Sequence, residues 1–148
     1  MSATLFLLHG GRDAATIRAQ EAASVALRQG FRIRILDIET GPAPGLSLES
    51  GVLFLLAPPI ATGLFGTAGA FWHQIVRLAR SNLRGMAFSV LALDTQADTS
   101  PTPVAEELER ALLRQQARRF YPCMRCLPGD EVAFRIWLCG ALAAFKER

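Results

Sequence analysis

The pattern of apolar and polar positions predicts strands and helices in alternation. Residues 4–8 and 52–57 form continuous apolar runs, which are typical of strands buried on both faces of a sheet, and residues 85–94 predict another central strand. Apolar and basic residues alternate over residues 31–38, which predicts an edge strand with one face in water. Residues 118–122 predict a short fifth strand, which Pro122 confines to an edge because proline has no backbone N–H to donate.

Helical spacing predicts four helices between and after these strands, at about residues 13–29, 70–82, 103–117 and 131–146. Asp13, Thr102 and Asp130 are suited to cap the amino ends of three of them, and Gly30 is suited to end the first. A narrow stripe of small residues would let the first helix lie close on a sheet: Ala15, Ala19, Ala22 and Ala26.

This order of elements predicts an α/β fold in three layers. Strands that alternate with helices form parallel sheets with right-handed crossovers, and the helices cover both faces. The second and fifth strands have edge patterns, and the order 2-1-3-4-5 places both of them at the edges. We therefore expect residues 1–148 to form a single domain with a five-stranded parallel sheet of that order.

Composition narrows the class of protein. Hydrophobic residues make up 51% of the chain and charged residues 20%, as in compact soluble domains. No apolar run reaches the roughly 18 residues of a membrane helix, and the amino terminus lacks the basic segment of a signal peptide. A cytoplasmic protein without membrane association is expected. The net charge of +3 is small for a nucleic-acid-binding domain, so no nucleic-acid partner is expected.

Three features suggest further chemistry, each beside a plainer interpretation. Cys123 and Cys126 form a C-x-x-C pair, either a redox pair or two ordinary thiols, and without a second pair a zinc site lacks ligands. His9 closely follows the first apolar run, where it would contact a ligand or only brace a turn. A basic stripe could dock an acidic partner or form a solvated helix face: Arg110, Arg114, Arg118 and Arg119. No metal site is predicted.

Several segments together resemble the flavodoxin family, in particular short-chain flavodoxins of the MioC type and the FMN domain of diflavin reductases. The resemblance covers essentially the whole chain. Its carriers are the first strand, loop and helix, then RQGFRIRILDIE, VLFLLAPP, GAFWHQI, LRGMAFSVLALD, ARRFYP and GDEVAFRIWLCGAL. The resemblance implies the same 2-1-3-4-5 fold, FMN as the cofactor, and electron transfer with a redox partner protein in place of a self-sufficient enzymatic activity.

The resemblance also implies that three loops would hold the FMN. The loop after the first strand would bind the phosphate with Gly10, Gly11, Arg12, Asp13, Ala14 and Ala15. The loop after the third strand would line the ring with Pro58, Pro59, Ile60, Ala61, Thr62, Gly63 and Phe65, of which Phe65 is the aromatic residue near enough to stack. The loop after the fourth strand would contribute Asp94, Thr95, Gln96 and Asp98.

These loops depart from the family pattern, and the departure leaves two hypotheses. Where the family has hydroxyl side chains in S-x-T-G-T-A-E, this chain has Gly10, Arg12 and Ala14, and Asp13 replaces the central glycine. The first hypothesis is an FMN-binding electron-transfer protein. The second is a degenerate flavodoxin-like scaffold that no longer binds FMN and serves as a protein-interaction or structural module.

Overall fold

The computed structural model describes residues 4–11, 13–37, 51–57, 84, 86–93 and 104–147. Its strands are β1 (Thr4–Gly11), β2 (Arg32–Asp37), β3 (Gly51–Ala57), β4 (Ala87–Leu93), β5 (Arg118–Arg119) and β6 (Met124–Cys126). Its helices are α1 (Asp13–Arg28), α2 (Val104–Arg114) and α3 (Glu131–Lys146). The helix predicted at 70–82 and the helix start predicted at Thr102 lie outside the described residues. No helix in the described ranges is long and apolar enough to cross a membrane.

The sheet has the predicted topology. Its strands run in the order β2-β1-β3-β4-β5, and every described pair is parallel. Each residue of β3 and β4 is buried, as their largely apolar sequences predict. The order 2-1-3-4-5 and the three-layer α/β class are therefore confirmed.

The fifth strand is interrupted, which the sequence did not predict. β5 pairs with Ala87 and Phe88 of β4, and β6 pairs with the same strand farther along. Two residues separate Phe88 from Leu91, but four separate Arg119 from Met124, so two extra residues bulge out. Of the strand predicted at residues 118–122, only Arg118–Arg119 forms β5, and pairing resumes at Met124 once Pro122 has been passed.

A buried serine holds this bulge to the rest of the molecule. The Ser89 hydroxyl of β4 donates to the Pro122 carbonyl at 3.2 Å and accepts a hydrogen bond from Trp137 Nε1 at 3.0 Å. Ser89 and Trp137 are fully buried, so the indole N–H of Trp137 depends on the Ser89 hydroxyl as its acceptor. The interrupted strand, the sheet and α3 are thereby joined at one point.

Two hydrophobic clusters cover the faces of the sheet. Phe54 and Phe88 pack with Leu108 and Leu112 of α2 on one face. On the other face, α1 and α3 pack over the alternate residues of the same strands. The predicted small-residue stripe of α1 is fully buried there: Ala15, Ala19, Ala22 and Ala26.

The helix ends follow local sequence signals. Gly30 ends α1 with φ +89°, and the hydrogen bonds from Gly30 N to Leu27 O and from Phe31 N to Ala26 O form a Schellman motif. Asp130 caps α3 as predicted, because its Oδ1 accepts from Ala133 N at 3.0 Å.

The predicted basic stripe does not form on a helix. α2 ends at Arg114, since Gln116 adopts φ +68° and the chain then enters β5, which contains Arg118 and Arg119. Arg110 pairs with Glu106 at 3.1 Å, and Arg119 pairs with Glu109. The prediction that these arginines form one basic stripe along a helix is therefore wrong. Arg110 and Arg119 are also paired with carboxylates.

Candidate functional site

The carboxyl ends of the parallel strands meet at one edge of the sheet. β1 lies between β2 and β3 in the sheet. The chain therefore goes from β1 to β2 on one side of β1, and from β2 to β3 on the other side of β1. Such a reversal leaves a crevice between the two carboxyl ends, and open α/β sheets bind their ligands there. Here the reversal falls between β1 and β3, which stay paired up to their last residues, Gly10 with Leu56 and Gly11 with Ala57. Such a crevice would therefore lie just beyond these carboxyl ends.

Gly11 is the last residue of β1 at this edge of the sheet. It has φ +97°, a conformation that L side chains rarely adopt. A Cβ atom at this position would stand 2.1 Å from the carbonyl oxygen of Ala57, so only glycine fits without a shift of the backbone. The last residues of β1 and β3 therefore approach each other with no side chain between them.

Helix α1 begins two residues after Gly11, at Asp13. The first four N–H groups of a helix have no partner within it, and the helix dipole makes this end positive. Asp13 is exposed, Ala14 is half-buried and Ala15 is buried, so small side chains flank these donors. Of the predicted phosphate-loop residues, the structure thus brings together Gly10, Gly11, Asp13, Ala14 and Ala15.

The other predicted cofactor residues lie outside the described residues. They are Arg12, Pro58, Pro59, Ile60, Ala61, Thr62, Gly63, Phe65, Asp94, Thr95, Gln96 and Asp98.

His9 lies at this edge as part of β1. Its side chain is 7% exposed, and its Nδ1 is 3.3 Å from Thr16 Oγ1 in the first turn of α1. Burial lowers the pKa of His9 from its usual 6.5, although the nearby carboxylate of Asp37 acts in the opposite direction. A neutral His9 at neutral pH thus holds the Thr16 hydroxyl, the hydroxyl closest in sequence to the phosphate loop.

A buried arginine positions α1, and sequence reasoning missed it. Arg18 is 8% exposed and donates to the Pro128 carbonyl at 3.1 Å and to Glu21 at 3.0 Å. Its guanidinium also lies over the Phe134 ring, 4.8 Å from the centroid. These contacts fix the first half of α1 against the loop that leads into α3. An arginine among alanines in an otherwise small-residue face was the available signal.

The C-x-x-C pair is not arranged for redox chemistry or for metal binding. Cys123 packs against the cluster on the α2 face, and Cys126 belongs to the cluster on the opposite face. Burial and the charge of Glu109 raise the pKa of Cys123 to about 12, and burial raises that of Cys126. A reactive thiol needs a lowered pKa, so the interpretation as ordinary thiols is favoured. Within the described part of the chain, no His, Cys, Asp and Glu cluster could hold a metal.

Known structures share this architecture. A mutant of the flavodoxin from Pseudomonas aeruginosa is 18% identical and superimposes with a TM-score of 0.68, covering 97% of this chain and 99% of its own. The chain has a flavodoxin-like fold. Oxidised flavodoxin 1 from Bacillus cereus is 16% identical, with a TM-score of 0.68 and 99% of both chains covered. A diflavin flavoprotein from Nostoc sp. is 11% identical, with a TM-score of 0.65 and coverages of 99% and 94%.

The likeness concerns the three-dimensional structure more than the sequence. No protein-family model matches this chain, and no curated protein matches it either. Flavodoxin-like folds with identities this low share their scaffold, while ligand binding depends on individual residues at the carboxyl edge.

Proposed function

We propose that this chain is a flavodoxin-like electron-transfer protein that binds FMN at the carboxyl ends of β1, β3 and β4. The observation that carries the proposal is the position of Gly11 at the carboxyl edge of the sheet. A glycine with positive φ brings β1 against β3 at the point where the strand order reverses, and the amino end of α1 follows directly. Backbone N–H groups at a helix amino end form a ready site for a phosphate group.

The residues present are compatible with the phosphate of FMN through backbone donors. Ala14 and Ala15 leave the first turn of α1 open because their side chains are small. The Thr16 hydroxyl is engaged by His9, so the N–H groups of the turn would carry most of the binding. Arg12 stands in the same loop and would add a positive charge.

Asp13 weakens this phosphate site. Its exposed carboxylate shares the first turn with the phosphate position. For a separation of about 6 Å in water, one pair of unit charges costs about 0.7 kcal/mol. A phosphate with nearly two charges would therefore lose about 1.4 kcal/mol, or about tenfold in affinity. We expect FMN to bind weakly compared with a site that has glycine at this position.

When bound, the FMN ring system supplies the electron-accepting and electron-donating chemistry. The chain itself binds the phosphate at α1, and the segments 58–65 and 94–98 would exclude water from the ring. Electrons would pass to and from a redox partner protein.

Titration of the purified protein with FMN tests the proposal, with flavin fluorescence and visible absorbance as readouts. We expect weak binding by the natural chain and about tenfold tighter binding by Asp13→Asn. Glu131→Gln is the matched control, because it removes an acidic residue from the first turn of another helix. Absence of binding by both the natural chain and Asp13→Asn at high micromolar FMN would contradict the proposal.

The second hypothesis, a scaffold that no longer binds FMN, has its own support. Asp13 supplies an anion to the amino end of α1, and the Thr16 hydroxyl contacts His9 instead of facing a ligand. If FMN binds neither variant, the chain would serve as a protein-interaction or structural module. Binding that is tightened by Asp13→Asn would reject this alternative.

A further inference from the structure

A buried titratable side chain lies close to the proposed phosphate site. His9 is 7% exposed and stands two residues before Gly11, the last residue of β1. Its Nδ1 atom is 3.3 Å from the Oγ1 atom of Thr16, in the first turn of α1. The backbone N–H groups proposed to bind the phosphate belong to the same turn. The ring of His9 is therefore linked through one hydroxyl group to the amino end of α1.

The charged neighbours of His9 come from β2 and α1. In the sheet, His9 is paired with Asp37 of β2 and with the apolar Leu55 of β3. The charged residues in the first half of α1 nearest to this edge are Asp13 and Arg18. Burial lowers the pKa of His9, and the carboxylate of Asp37 acts against this effect. An anion bound at the amino end of α1 would act in the same direction as Asp37 and favour the protonated ring.

The hydrogen bond between His9 and Thr16 has two forms, which differ in the direction of donation. A neutral imidazole has one nitrogen that donates and one that accepts, whereas both nitrogens of a protonated imidazole donate. When Nδ1 accepts, the Thr16 hydroxyl is the donor, and its single proton is used on His9. When Nδ1 donates, the Thr16 oxygen accepts, and the hydroxyl proton can turn toward another acceptor.

The position of Thr16 suits a phosphate ligand. The Cα–Cβ bonds of a helix tilt toward its amino end, so the Thr16 hydroxyl lies toward the end of α1 where the phosphate would bind. Thr16 is half-buried, whereas His9 is almost completely buried. The hydroxyl is therefore the accessible group of the pair, and His9 acts on a ligand through it.

We propose that Thr16 is a phosphate ligand gated by the protonation of His9. Neutral His9, with its proton on Nε2, accepts the hydroxyl proton of Thr16, and protonated His9 releases this proton to the phosphate of FMN. This inference rests on the proposed function and deepens it, because it names a further binding residue and the regulation of the same site. By linkage, bound FMN favours protonation of His9 as much as protonation of His9 favours binding of FMN.

Titration with FMN at pH 8 and pH 5, followed by flavin fluorescence, tests the gate. At pH 8, Thr16→Val should bind FMN as tightly as the natural chain does, because the hydroxyl proton is already used on His9. At pH 5, Thr16→Val should bind about tenfold more weakly than the natural chain, since a hydrogen bond to a charged group is lost. Ser24→Ala is the matched control, because it removes an exposed hydroxyl from the same helix, and it should bind like the natural chain at both pH values.

His9→Gln removes the titrating group itself. The phosphate of FMN also takes up a proton near pH 6, but this change is the same for every variant, so affinities are compared between variants at each pH. The affinity of the natural chain relative to His9→Gln should rise about tenfold between pH 8 and pH 5.

NMR of the imidazole nitrogens gives a second readout that needs no change at the site. At pH 8, His9 should carry its proton on Nε2. Saturation with FMN should raise the pKa of His9 by about one unit, which corresponds to the tenfold effect on affinity. His73→Gln identifies the His9 signals, because the chain has two histidines.

Several results would overturn the proposal. One is a loss of affinity in Thr16→Val that is equal at pH 8 and pH 5, since the hydroxyl would then donate whatever the state of His9. Others are a neutral His9 with its proton on Nδ1, and a pKa of His9 that FMN leaves unchanged. Binding of FMN with the same pH profile in the natural chain and His9→Gln would overturn this inference and leave the proposed function standing. Absence of FMN binding at both pH values would overturn both.

Discussion

Replacement of Gly11 by alanine tests whether β1 and β3 approach as closely as the structure indicates. The added Cβ has two separable costs. A non-glycine residue in the left-handed region costs roughly 1–2 kcal/mol. The contact of 2.1 Å with the Ala57 carbonyl forces the backbone of two central strands apart, and overpacking of this kind costs about 1–3 kcal/mol. We expect Gly11→Ala to lower the free energy of unfolding by about 2–5 kcal/mol.

Two other glycines isolate the two costs. Gly30 has φ +89° with nothing within 4 Å of an added Cβ, so Gly30→Ala carries only the backbone cost of about 1–2 kcal/mol. Gly129 has no such φ and an equally open surrounding, so Gly129→Ala should be close to neutral. The difference between Gly11→Ala and Gly30→Ala therefore measures the close approach of the strands alone.

Urea unfolding followed by circular dichroism measures all three variants. The midpoint should fall in the order Gly129, Gly30, Gly11, while the dependence on denaturant stays constant. If Gly11→Ala costs no more than Gly30→Ala, the two strands do not approach closely, and the argument for a crevice at this point is refuted. If FMN binds, Gly11→Ala should also weaken its binding, because the first turn of α1 follows this glycine directly.

Three more predictions follow from buried polar groups and thiols. Ser89→Ala should lower the free energy of unfolding by about 1–3 kcal/mol in urea, because Trp137 Nε1 loses its acceptor. Because the pKa of His9 is lowered in the folded protein, the unfolded chain takes up a proton at a higher pH than the folded protein does. The free energy of unfolding should therefore fall as the pH drops below about 6.5, and it should fall less in His9→Gln. Equal pH profiles of the two proteins would contradict this. Maleimide labelling of the native protein, read by mass spectrometry, should modify Cys139 first, since Cys139 is exposed and Cys123 has a pKa of about 12; equal rates would show that burial does not protect Cys123.

Much of the scaffold could be predicted because its signals are local. The largely apolar sequences of β3 and β4 indicated burial on both faces, and the alanines of α1 indicated close packing on the sheet. Gly30 and Asp130 marked helix ends through hydrogen bonds that reach only a few residues along the chain. Strand order followed from which strands had a solvent-exposed face.

The errors in prediction lie where distant segments meet. The return of the chain to the sheet at Met124 depends on pairing with β4 and on the hydrogen bond of Ser89 to Pro122, which no local pattern shows. The supposed basic helix face failed because Gln116 takes a positive φ and ends the helix before Arg118. A four-residue spacing of arginines is the same whether or not the helix continues.

The candidate site also has some features that the sequence determined and others that only the tertiary structure decided. The sequence by itself determined that Gly10 and Gly11 connect a buried run to a helix that begins near Asp13, because neighbours along the chain decide this. The structure includes both glycines in β1. Only the tertiary structure decided that a Cβ at Gly11 would meet the Ala57 carbonyl, that His9 engages Thr16, and that Cys123 and Cys126 pack with opposite faces. These contacts arise from the side-by-side packing of β1, β3 and α1 and from the two faces of the sheet, and no spacing along the chain encodes them.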